Sequence, residues 1–223
     1  MPTRTLQHLV DEVRQRANLE NSDSFLTDAE VIRCLNQSIK AWRDLLIENQ
    51  GQDFFVSNVT VNLTGAASYT LTGVYQVTGV SHTLNSVTTV LTPYNYADRG
   101  RYTITGATSP SKYRVQGASL YILPVIGSGS VVVSYVPYFT DLATLATDTL
   151  EVFNGWDEWI VVDAAMKALE KENTDTSQLF ARREATERRL IGQAQYQDRS
   201  MPESVSDIYD PDLDWRVGGY GRR

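Results

Sequence analysis

Residues 54–91 read FFVSNVTVNLTGAASYTLTGVYQVTGVSHTLNSVTTVL, and they contain no Asp, Glu, Lys or Arg. Val, Thr, Ser and Tyr dominate, with Gly at the breaks. Val59, Val61 and Leu63 alternate with Thr60 and Asn62, which is the period of two expected of a strand. Tyr69–Leu71, Tyr75–Val80 and Val87–Leu91 read as further strands. The same character continues to Pro137. Across residues 54–137 there is one acid, Asp98, and four bases, Arg99, Arg101, Lys112 and Arg114. Lys112–Val115 and Leu120–Pro124, joined by Gln116–Ser119, form a hairpin pattern. Val131–Val136 reads as the last strand, after the turn Gly127–Ser130. Residues 92–110 read as a loop with a short strand.

The flanks are different. Residues 1–53 hold nine acids and six bases, and residues 138–197 hold eleven acids and six bases. Thr27-Asp28-Ala29-Glu30 reads as a capping box opening a helix. Ile32, Leu35, Ile39, Trp42 and Leu46 follow at helical spacing, and Gln50-Gly51 ends the pattern. Leu6, Leu9, Val10 and Val13 predict a shorter helix before it. Trp156, Trp159, Ile160, Ala164 and Met166 predict a third. Leu179, Phe180, Leu190, Ile191 and Ala194 predict a fourth, starting after Asp175. The expected fold class is α+β: a bundle of about four helices with an inserted antiparallel β lobe and an extended C-terminal tail. The expected divisions are 1–53 and 138–198 for the helices, 54–137 for the lobe, and 199–223 for the tail.

The chain has 223 residues, a formal net charge of −7, 42% hydrophobic residues and one cysteine. These values exclude wholesale disorder and a disulfide-stapled scaffold. The charge argues against non-specific nucleic-acid binding. No apolar run approaches the roughly 20 residues of a spanning helix, and the first 18 residues do not read as a signal peptide. The single thiol fits a reducing compartment.

Catalytic patterns are sparse. H-E-x-x-H, G-x-S-x-G, Walker and G-x-G-x-x-G motifs are absent from the sequence. No catalytic, cofactor-binding or metal-binding residue is assigned, and no cofactor is expected. Cys34 reads as a half-buried small residue, with His8 the one histidine that could face it. Asp210, Asp212 and Asp214 have the spacing of a calcium loop but lack its Gly and its closing Glu. The tryptophans at 42, 156 and 159 read as core. Arg182, Arg183, Arg188 and Arg189, mixed with Glu184 and Glu187, read as a charged helix surface. The tail from Arg199 has no periodicity and too few apolar residues to fold alone. It nevertheless carries Tyr209, Trp215 and Tyr220, the mark of a segment that orders on a partner.

The order of these parts resembles the head-to-tail adaptor, or connector, proteins of tailed bacteriophages. The resemblance spans residues 5–197. It rests on Leu26–Val31, Asn36 and Trp42, on the Pro110–Pro124 hairpin, on Val133–Pro137, on Leu145 and Asp148, and on Trp156 with Ala164, Ala165 and Ala168. It implies a structural, non-enzymatic virion protein of the neck, made in the host cytoplasm. Such proteins assemble as rings, usually dodecamers, between the portal protein and the tail or nozzle proteins. Genomic DNA passes through the lumen without specific binding, and no membrane is involved. The resemblance also implies that the C-terminal segment docks on the portal, which points to Tyr209, Trp215, Tyr220, Arg222 and Arg223. Two other readings stand beside it: a tail nozzle or tube component, and a neck-associated cell-wall hydrolase using Asp157/Glu158 or Glu170/Glu172.

Overall fold

In a computed structural model, residues 3–19, 26–49, 51–84, 87–103, 107–152, 155–171 and 173–197 are described. Four α-helices and ten strands follow in chain order. Helix α1 is Leu6–Arg16, and α2 is Asp28–Glu48. Helices α3, Asp157–Glu170, and α4, Ser177–Gln197, come after the strands. Two short 3-10 helices, Gly51–Phe55 and Tyr96–Tyr102, also occur among the described residues.

Each helix forms for a reason visible in its residues. Thr5 caps α1 by accepting a hydrogen bond from the His8 amide, which satisfies one of the free amides of the first turn. The Glu30 carboxylate opens α2 by accepting from both the amide and the hydroxyl of Thr27, each at 3.0 Å. The buried stripe of α2 runs through Val31, Leu35, Ile39, Trp42 and Leu46. Its first position is Val31, not Ile32, which is only half-buried against the same core. Helix α3 is enclosed by α1, α2 and α4. It can be, because Ile160, Val161, Ala164, Ala165 and Ala168 leave almost no polar surface and let neighbouring backbones approach. Trp42 and Trp159 are each 1% exposed, and Trp156 is 3% exposed. Burying one such side chain contributes about 2–3 kcal/mol. All four helices share a single core.

The lobe between α2 and α3 is two four-stranded sheets. The first has the order β2 (Ser57–Asn62), β9 (Ser130–Pro137), β4 (Val74–Leu84), β5 (Val87–Val90). The second has the order β3 (Tyr69–Thr70), β8 (Ser119–Leu123), β7 (Lys112–Gln116), β6 (Thr92–Pro93). The β7–β8 hairpin pairs Lys112 with Leu123 through to Gln116 with Ser119, and Gly117 takes the positive φ of 57° at its turn. Leu120 and Ile122 of the second sheet share a core with Val80, Val131 and Val133 of the first.

Three features depart from expectation. The lobe is not uniformly antiparallel: β6 runs parallel to β7 over two residues. Strand β4 extends beyond Val80 to Leu84, because β5 returns alongside residues 81–84. A further pair lies outside the lobe. Strand β1 (Thr3–Thr5) pairs with β10 (Thr149–Glu151) next to the helices. Neither three-residue segment has enough alternation to announce itself.

Candidate partner-binding surface

The helical half and the lobe meet along one side of α2. There Lys40, Arg43, Asp44 and Ile47 face Tyr75 of β4 and Pro137, Tyr138 and Phe139 after β9, around a cleft of about 170 Å³. Arg43 is the centre of this junction. Its guanidinium lies 4.5 Å from the Phe55 ring centroid and 5.6 Å from that of Phe139. It donates to the Pro137 carbonyl at 3.0 Å. Burial lowers the Arg43 pKa, and nearby Asp44 partly offsets this. The Tyr75 hydroxyl donates to Asp44 at 3.0 Å, and that hydrogen bond raises the tyrosine pKa. Tyr75 and Tyr138 meet edge to face at 5.6 Å, yet remain 47% and 62% exposed. Exposed tyrosines beside the apolar Ile47, Pro137 and Phe139 suit contact with a protein segment.

This cleft was not legible in the sequence. Its residues come from positions 40–47, 75 and 137–139, and only the fold brings them together. The Tyr138-Phe139 pair directly after a strand-ending Pro was the one local signal.

Several of the charged residues singled out in the sequence are engaged with one another. Arg4 Nε stands 3.0 Å from Asp157, tying the start of α1 to α3. Glu158 faces Arg16 at 2.8 Å and Arg182 at 2.7 Å. Arg183 lies 3.0 Å from Asp163, and Arg188 pairs with Glu184 along α4. The carboxylates at 157 and 158 therefore hold helices together, and Arg182, Arg183 and Arg188 of α4 face acids. Glu170 ends α3, and Glu172 lies outside the described residues. His8 contacts Arg4 and Glu12, not Cys34. Cys34 is half-buried, and burial pushes its thiol pKa up. An elevated pKa disfavours the reactive thiolate. Among the described residues, no cluster of three or more His, Cys, Asp or Glu could hold a metal ion. No described helix is long and apolar enough to cross a membrane.

Tyr209, Trp215, Tyr220, Arg222 and Arg223, and with them the acidic run from Asp207, lie outside the described residues.

The family model for the SU10 adaptor protein matches residues 4–206, from β1 through both sheets to beyond α4. The chain belongs to the SU10 adaptor protein family. This is a family of phage head-to-tail adaptors, so the chain is a phage adaptor of structural type. Among curated proteins, none matches the chain. As an SU10 adaptor, the protein carries its family pattern across helices and sheets alike, and the match ends before Tyr209.

Proposed function

We propose that this SU10 adaptor assembles as a ring, with twelve copies as the expected number, between the portal and the tail of a phage virion. In this reading residues 1–53 and 138–198 form a four-helix bundle that is the ring body. Residues 54–137 face the tail or nozzle proteins. Residues 199–223 reach the portal and order there, through Tyr209, Trp215 and Tyr220, with Arg222 and Arg223 as charge partners. Genomic DNA passes through the lumen during ejection, and the net charge of −7 disfavours its sticking there. The protein is made in the host cytoplasm and ends in the neck of the particle.

The family match over residues 4–206 carries this reading. The tail adds to it: six acids, four bases and spaced aromatic residues in the last 26 positions cannot build a core of their own. Docking through such a segment gains strength by repetition around a ring.

Light scattering of the full chain, alone and then mixed with purified portal rings, tests the reading. The expected result is a fixed number of copies added per portal. Removing residues 199–223 should leave a folded protein that no longer attaches. Normal decoration of portals by the truncated chain would remove the tail from this role. A full chain that ignores portals, or that forms tubes alone, would overturn the portal-side placement.

A further inference from the structure

Among the described residues, the sheet β2-β9-β4-β5 ends in a free edge on both sides. Among the described residues β2 pairs only with β9, and β5 only with β4. An exposed strand edge offers a row of unpaired amides and carbonyls, and proteins that work alone guard such edges with lysine, proline or inward charge. Neither β2 nor β5 carries such a residue. No charged residue occurs between Asp53 and Asp98, a stretch that includes both edge strands. Apolar side chains stand out at the same places. Val87 and Val90 of β5 are 65% and 71% exposed, Leu84 opposite Val87 is 40% exposed, and Val59 of β2 is 36% exposed.

Strand direction identifies what fits. Every neighbouring pair in this sheet is antiparallel, so β2 and β5, at opposite ends of four strands, run in opposite directions. If a second copy is placed beside the first in the same orientation, β5 of one meets β2 of the next as another antiparallel pair. Both edges of every copy are then used. A two-fold contact through β5 alone or β2 alone would use one edge and leave the other bare. A single foreign strand would do the same. Unlike edges that join head to tail produce closed rings when the rotation closes.

We propose that β5 of each copy pairs antiparallel with β2 of the next, so that the lateral contact between copies is a shared β-sheet. This rests on the ring reading above. The contact needs no charge, which explains why the lobe holds almost none.

Cross-linking tests it. Thr60 of β2 and Thr88 of β5 are both exposed. In a Cys34→Ser background, Thr60→Cys and Thr88→Cys are introduced singly and together, and the full chain is assembled on portal rings. A bismaleimide of about 8 Å reach is then added. Strand spacing of about 4.8 Å places equivalent positions on adjacent copies about 19 Å apart. Each single variant should therefore give no ladder, and the double variant should give covalent multimers. Val90→Lys should abolish these multimers while its circular dichroism and melting stay those of the parent. Electron microscopy separates the two ideas. Rings without a ladder in the double variant overturn the shared sheet and leave the ring reading intact. A ladder in open filaments supports the shared sheet and overturns the ring. Neither rings nor ladder overturns both.

Discussion

Asn36 closes two hydrogen bonds on the backbone of Leu142. Its Nδ2 donates to the Leu142 carbonyl at 2.8 Å, and the Leu142 amide donates to its Oδ1 at 2.9 Å. The side-chain amide thus replaces a strand that is not there. It anchors the irregular connector after β9 to the flank of α2. The connector is held at its other end by Leu6 and Gln7 of α1, whose amides donate to the carbonyls of Asp148 and Leu145. Asp148 in turn accepts from the amides of Ala143 and Thr144, which lowers its pKa.

Asn36→Ala should therefore cost about 2–3 kcal/mol, because two partly buried backbone groups lose their partners together. Asn36→Asp should recover little, since it keeps the acceptor but turns a negative oxygen toward a carbonyl. Urea denaturation gives the comparison. A loss below about 0.5 kcal/mol for Asn36→Ala would mean that water replaces the bridge without penalty.

Asp163 is the second junction. It is 5% exposed and accepts from Ser38 at 2.7 Å and from Lys167 at 2.6 Å, while Arg183 stands 3.0 Å from its other oxygen. Helices α2, α3 and α4 meet there. Asp163→Asn keeps the volume and leaves two cations facing each other. Breaking such a buried pair costs about 3–5 kcal/mol, but Lys167 and Arg183 are about one-third exposed, so about 1–3 kcal/mol is expected. A double-mutant cycle with Arg183→Met should show part of that loss restored. Strict additivity would show that the pair does not interact.

Acid should weaken the start of α2. Hydrogen bonds from Lys171, then from the amide and hydroxyl of Thr27, hold the Glu30 carboxyl at about 2, below its ordinary 4.5. The folded state binds this proton less readily than the unfolded state does. The contribution of Glu30 is thus complete above about pH 4.5 and is lost as pH falls toward 2. Glu30→Gln should melt lower than the parent at pH 7, and the two melting curves should converge near pH 2. A difference that stays constant over this range would assign the effect to shape instead of charge.

His82 should make the lobe sensitive to milder acid. It is 1% exposed, its Nδ1 lies 3.3 Å from the Ser109 hydroxyl, and burial lowers its pKa from 6.5. Stability from this group is complete above pH 6.5 and declines as pH falls below it, because the unfolded chain takes the proton first. Amide protection in β4 and β9, corrected for the intrinsic exchange rate, should fall as pH drops below 6.5, and His82→Gln should remove that fall. The same pocket makes a second demand. Gly129 has φ +97°, and a Cβ there would stand 3.0 Å from His82 Nε2. Gly129→Ala should cost about 1–3 kcal/mol in thermal melts.

Local periodicity determined much of this protein. Helix α2, the β7–β8 hairpin, the near-neutral lobe and the core tryptophans could all be read from spacing, because each is an element whose pattern repeats within ten or twenty residues. The order of parts, with Asn36 and Trp42 among its positions, resembles the adaptor family in sequence alone. Tertiary structure alone decided the rest. Strands β1 and β10 are three residues each and nearly 150 positions apart, so their pairing has no local signature. The parallel register of β6 against β7 joins residues 20 positions apart, Thr92 with Lys112 and Pro93 with Tyr113. The cleft around Arg43 arises where lobe and helices meet, and the acids facing Arg4, Arg16 and Arg182 belong to α3, a different element from each of those arginines. Periodicity reports which face of an element is apolar; it carries no information about which distant face or charge will come to lie against it.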